Sequence, residues 1–242
     1  MMNKSTWDSF VKVREEFRGI TEKLSDSLPK LKSIQQGLAN DKYKVENPVV
    51  YNTALDTVKQ DDNIKLILVA DNPGQDEQKA ENRRYLVGQA GTLAEKFFSD
   101  NPVLGIDLRK NVIILNKTPI HSSCTGGLKT LKEKGGCSFA ATLKESQESM
   151  AYILLEFQKT LDVPVWITGC SEMEKNGVFK TYTETLKKLY ASNKKLFEKV
   201  FLFKHFSRSW FTRDLKKQTL TDESLAKSLE RIGAAYRKQI LG

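Results

Sequence analysis

Four short apolar runs constrain this chain more than any other feature: Ile64–Ala70, Val112–Asn116, Val165–Thr168 and Val200–Phe203. They are rich in β-branched or aromatic residues, as strands buried on both faces of a parallel sheet are. Helical periodicity fills the gaps, over about 91–99, 139–161 and 180–192. A last helix is expected from about Asp222 to Gln239, with Thr221 as its N-cap. Strand–helix alternation implies an α/β fold. The expected form is a three-layer α/β/α sandwich with a central four-stranded parallel sheet.

The chain of 242 residues suits a single domain, with a helical N-terminal extension over 1–60 and an α/β core over 61–242. In the extension, Trp7, Phe10, Val11, Val13, Phe17, Ile20 and Leu24 recur at helical spacing, and Leu28, Leu31, Ile34 and Leu38 continue the pattern. Pro29 is expected to divide it into two helices. Residues 47–60 read as a further short helix, and residues 121–138 as the main loop insertion. The extension carries no evident chemistry; it reads as packing on the sheet or as a DNA-facing addition.

Lys and Arg number 39 against 30 Asp and Glu, a net charge of +9. That excess suits a polyanionic partner, or else a lysine-rich solvated surface. No apolar run is long enough to span a bilayer. The opening MMNKSTWDSF lacks the apolar centre of a signal peptide, so the expected compartment is the cytoplasm. Cys124, Cys137 and Cys170 form no C-x-x-C pair and cannot supply a four-thiolate cluster. They read as ordinary thiols.

In an open parallel sheet, ligands bind beyond the carboxyl ends of the strands. The first strand runs into Asp71-Asn72-Pro73-Gly74, the second ends in Asn116, and the fourth leads to His205. The third ends in Gly169-Cys170, a tight turn rather than a reactive group. Polar groups at three strand ends of one sheet converge on one cleft. A second Gly-rich turn, Val87-Gly88-Gln89-Ala90-Gly91, opens a helix whose N–H groups can hold a phosphate.

Three blocks, in this order, resemble the uracil-DNA glycosylase superfamily. Asn72-Pro73-Gly74 resembles the turn of its mismatch-specific and single-strand-selective branches. Glu77 and Leu86-Val87-Gly88-Gln89-Ala90-Gly91 are similar instead to the bacterial iron–sulfur branch, whose pattern is PGxxE followed by PFVGxAG. The strand ending in Asn116 is the second block, and His205-Phe206-Ser207 is similar to the family's His-Pro-Ser turn. The chain also departs from the pattern. Leu86 stands where the iron–sulfur branch has a base-stacking Phe, with Tyr85 beside it as a substitute, and Phe206 replaces the Pro. The cluster cysteines are missing, so no iron–sulfur cluster, metal or redox cofactor is expected.

The resemblance implies cleavage of an N-glycosidic bond in DNA. The damaged base must first be flipped out of the stack. His205 would donate to the leaving base at O2, and Asn72 would orient the attacking water, with Asp71 and Glu77 as neighbouring carboxylates. Asn116 would read the base, since its amide offers a donor and an acceptor that match O4 and N3–H of uracil. Pro73, Gly74, Tyr85 and Leu86 would complete the pocket. Gly88, Gln89, Gly91, Ser207 and Arg208 would hold phosphates, and Phe206, Trp210 or Phe211 would fill the gap left by the flipped base. The expected partner is DNA carrying uracil or another damaged base, and the expected state is a monomer. A lysine Schiff base is not expected, so cleavage would be monofunctional. Two rival classes remain: a damage-binding module of the same fold without turnover, and a hydrolase or transferase of free nucleotides. The absence of Walker and GxGxxG patterns argues against the second rival.

Overall fold

The computed structural model describes residues 1–27, 29–39 and 42–242. Leu28, part of the helical pattern above, lies outside the described residues. The elements run α1 (Lys4–Ser27), α2 (Leu31–Ala39), β1 (Leu66–Ala70), α3 (Gln89–Asp100), β2 (Val112–Asn116), α4 (Thr125–Leu161), β3 (Val165–Thr168), α5 (Lys180–Ala191), α6 (Lys194–Glu198), β4 (Val200–Phe203), α7 (Trp210–Gln218) and α8 (Leu225–Leu241). The four strands form one parallel sheet in the order β2-β1-β3-β4. This is the expected α/β architecture, with every strand within two residues of its anticipated limits. Among the described residues no helix is long and apolar enough to cross a membrane.

Strand order explains the layers. The chain steps from β1 to β2 on one side, then back across β1 to β3 and on to β4. Right-handed crossovers put α3 on one face and α4 and α5 on the other. Register fixes which side chains meet which layer, because successive residues of a strand point to opposite faces. Leu68, Ile114, Trp166 and Phe201 lie level across the sheet. Trp166 stacks on Phe98 of α3 at 5.6 Å and on Phe211 of α7 at 6.0 Å, so this row faces α3 and α7. Asn116, two residues beyond Ile114, shares that face; Lys117, the next residue, belongs to the opposite one.

The extension does not face away from the core. Phe10 and Phe17 of α1 are fully buried, Phe10 against Phe157 of α4 at 5.4 Å and Phe17 against Tyr51 at 5.2 Å. Each such burial contributes about 1.5–3 kcal/mol, so α1 is part of the sandwich. It ends at Ser27, just before Pro29.

Four expectations need correction. Residues 47–60 form only a 3₁₀ turn, Thr53–Thr57, because Asn52 caps it and then donates to the Ile114 carbonyl. The loop expected over 121–138 is helical from Thr125: Leu128 and Leu131 are buried, and that apolar anchoring outweighs two Gly pairs. The helix bends at Gly136, whose φ of 66° suits glycine. The N-cap of α8 is Ser224 rather than Thr221, its hydroxyl accepting from the Lys227 N–H. Helices α6 and α7 are additional to those expected.

Candidate active site at the carboxyl edge of the sheet

The strand order reverses between β1 and β3, and the crevice beyond that reversal is where open α/β sheets bind ligands. Register sets the four strand ends level: Ala70 is opposite Asn116, Val69 opposite Ile167, and Thr168 opposite Phe203. The polar residues singled out from sequence therefore leave the sheet along one edge.

Asn116 is 1% exposed, and neither its Nδ2 nor its Oδ1 meets a hydrogen-bond partner among the described residues. A buried amide without partners is costly, by about 1–3 kcal/mol for each group left unpaired. Its neighbour across the edge, Asn72, is half-buried and oriented: Nδ2 donates to the Ser122 carbonyl at 3.0 Å and to the Pro73 carbonyl at 3.1 Å. With the amide nitrogen so engaged, Oδ1 is the atom left to accept from a ligand or water.

His205 follows β4 by two residues and is half-buried. The Ser207 N–H donates to its Nδ1 at 3.0 Å, and Ser207 Oγ lies 2.7 Å from the same nitrogen. A backbone N–H can only donate, so Nδ1 carries no proton and the neutral ring bears it on Nε2. Burial lowers the pKa of His205 below the usual histidine value; Asp71 acts against that shift and Lys117 with it. The result is a neutral imidazole at pH 7 with Nε2–H as its donor.

Asp71 points into the other layer. Lys117, 0% exposed and not singled out from sequence, places Nζ 2.6 Å from Asp71 Oδ1 and also donates to the Thr168 carbonyl. Thr125 at the start of α4 donates to Asp71 Oδ2 at 2.7 Å. The Phe179 ring covers the ammonium at 4.9 Å. Asp71 is thus committed on both oxygens and is not placed as a catalytic base. Gly169 must be glycine here, since a Cβ would come 2.2 Å from Asp71 Oδ1 and its φ is 77°. The sequence does hold a signal for Lys117: it follows β2 directly, as Asp71 follows β1, and those strands are neighbours.

Glu77 is also not a free carboxylate. It is buried, and it ties the two Gly-rich turns together: Oε2 accepts the Gly74 N–H at 2.9 Å and Oε1 the Leu86 N–H at 2.6 Å. Burial raises its pKa to about 7 against these N–H groups, which favour ionisation. Tyr85 is fully buried with its hydroxyl donating to the Val50 carbonyl at 2.6 Å, so it does not replace the stacking Phe. Leu86 is buried too, with φ at 54°. Pro73 is buried and Gly74 half-buried within the first turn. Gly88 caps α3 without a side-chain bond, Gln89 is exposed, and Gly91 is buried in the first helical turn. That leaves first-turn N–H groups unclaimed by any cap.

Phe206 does not face outward. It stacks on Phe211 at 4.2 Å and 16°, both rings buried beneath α3, so neither can enter DNA. Arg208 and Ser209 both take positive φ, 52° and 58°. This sharp turn presents Trp210, 51% exposed, with Arg213 over its ring at 5.1 Å and Arg208 also exposed. Ser207 is occupied with His205 rather than free for a phosphate. His121 is a second, opposite tautomer: Nδ1–H donates to the Pro73 carbonyl at 2.9 Å, and Nε2 lies 3.0 Å from the Tyr43 hydroxyl. It holds the Asn-Pro-Gly turn from behind.

Compared with known proteins, the chain matches no family model and no curated sequence.

Proposed function

We propose that this protein is a monofunctional DNA glycosylase of the uracil-DNA glycosylase type, hydrolysing the N-glycosidic bond of uracil, or a related deaminated base, flipped out of DNA. The observation that carries the reading is the Asn116 amide, buried at a strand end with donor and acceptor both unpartnered. A base with an acceptor beside an N–H, as in O4 and N3–H of uracil, satisfies both at once; cytosine presents the reverse pattern.

The remaining groups supply the reaction. His205 Nε2–H donates to base O2 as the C1′–N1 bond breaks and its electron pair moves onto the base. Asn72 Oδ1 accepts from the attacking water, whose oxygen bonds to C1′ and whose proton passes to solvent. An amide is a poor base, so its part is placement. Lys117 is engaged with Asp71 and a carbonyl, which supports hydrolysis by water over a lysine adduct. Trp210 is the aromatic side chain available to fill the gap in the stack, and the α3 N-terminus to hold a phosphate. In this reading the enzyme acts as a monomer in the cytoplasm and needs no cofactor.

Incubation with uracil-containing oligonucleotides tests the proposal. Free uracil and an alkali-labile abasic site are expected, lost in Asn72→Ala and His205→Ala. Strand nicking by the protein alone, or activity unchanged in both variants, would count against it. Binding to damaged DNA without turnover is the second reading, favoured by the burial of both Tyr85 and Leu86, which leaves no aromatic ring at the stacking position.

A further inference from the structure

Beyond the strand-end cleft, lysines gather in a concavity on the α4–α5 side. A cavity of about 900 Å³ is lined by Lys129, Lys132, Lys144, Lys175 and Lys180, with Glu133 as the one carboxylate in its wall among the described residues. The bend at Gly136 makes the hollow: Lys129 and Lys132 precede it, Lys144 follows it, and the segment before α5 closes the other side. A smaller cavity of about 220 Å³, lined by Lys129, Ser171, Glu172, Glu174 and Lys175, continues it toward β4. There Ser171 Oγ accepts from Lys204 Nζ at 3.1 Å, and Lys204 is the residue before His205. Glu172 and Glu174 balance the two lysines of this smaller cavity, so the excess of positive charge lies in the larger hollow, which the smaller one joins to the histidine turn through Ser171 and Lys204.

A lysine-rich face is commonly no more than a solvated surface. Three features set this one apart. It is concave, it leads directly from the proposed catalytic turn, and its lysines are weakly committed. Lys129, Lys144 and Lys180 make only exposed pairs, at 3.3, 3.8 and 3.6 Å, and Lys132 and Lys175 make none among the described residues. Exposed pairs contribute about 0–1 kcal/mol, so a phosphate can replace them at little cost.

We infer that this groove is a binding site for the phosphodiester backbone of DNA flanking the target nucleotide. The inference rests on the proposed function for its choice of polyanion. Its lysines bind phosphates and carry no base specificity.

The test uses a fluorescent undamaged duplex, with affinity measured across a salt series. Replacing Lys132, Lys144 and Lys175 together by Glu should reduce the slope of log K against log salt by roughly 2–3, because each phosphate contact contributes about 0.9. A Lys→Ala version of the same triple should move the slope in the same direction. A control triple with the same charge change on exposed Lys4, Lys12 and Lys59 should shift it by less than about 1. Equal effects from groove and control, or no effect from either groove triple, overturn the inference. If no substrate releases a base but the groove triples still lower the slope, the enzymatic reading fails and the backbone site stands. If base release persists and the slope does not move, the site fails and the enzymatic reading stands.

Discussion

Glu77 and His121 hold adjacent residues of one turn from opposite sides. The Glu77 carboxylate accepts the Gly74 N–H at 2.9 Å, while His121 Nδ1–H donates to the Pro73 carbonyl at 2.9 Å. Both are buried, and burial shifts them in opposite directions, Glu77 up to about 7 and His121 down to about 4.

Opposite shifts give opposite pH slopes. Between about 4.5 and 7 the folded state holds the Glu77 proton more tightly than the unfolded chain, so this group's contribution falls as pH rises. Between about 4 and 6.5 the unfolded chain holds the His121 proton more tightly, so its contribution grows as pH rises. Each amounts to at most about 3 kcal/mol, and over pH 4.5–6.5 they largely cancel. Wild-type stability in urea should therefore rise only gently there, by the share of His205, whose pKa burial also lowers. Glu77→Gln should expose a rising profile and His121→Gln a falling one. Parallel profiles for all three proteins would refute the assignment.

Asn116 should separate stability from function. Asn116→Leu removes two unpartnered buried atoms, so stability should hold or rise by up to about 1 kcal/mol. Base release should fall by about 100-fold or more, since discrimination rests on the paired amide. Denaturation and turnover measured on the same preparation decide it; a clear loss of stability would mean that the amide has a structural role.

Lys117 and Asp71 should behave as a unit. Lys117→Met leaves Asp71 buried beside a single hydroxyl donor and should cost about 3–5 kcal/mol. Adding Asp71→Asn removes the uncompensated charge and should recover more than half. Additive losses in the double-mutant cycle would show that the two are not coupled.

The two aromatic residues of the histidine turn should part company. Phe206→Ala empties a packed site under α3 and should cost about 3–5 kcal/mol. Trp210→Ala, at an exposed position, should change stability by less than about 0.5 kcal/mol. It should still weaken binding of uracil-containing DNA by about 1–3 kcal/mol, the range of one stacked base. Binding unaffected by Trp210→Ala would remove that residue from the interface.

The strands were legible because each is a short apolar run between turns, and their carboxyl ends locate the cleft. What periodicity cannot carry is contact between distant residues. Lys117 reads as a surface lysine until β2 is set beside β1. Phe206, Phe211 and Trp210 are equivalent aromatics in sequence; the left-handed turn at Arg208 and Ser209 decides which one faces out. Glu77 reads as a cleft carboxylate because its partners are backbone N–H groups, which composition does not display. The first half of α4 was hidden by glycines whose cost is met by buried leucines.

Asn116 and Lys117 are consecutive, yet they serve opposite sides of the sheet. A slip of one residue in β2 would turn each to the other face, and in either direction it would take the amide from the cleft and the ammonium from its carboxylate. No compensating substitution at a single position restores both. The strand thus carries a reading frame of its own. Single insertions or deletions between β1 and β2 that are taken up in the loops leave that frame intact, while one absorbed within the strand destroys pocket and ion pair together.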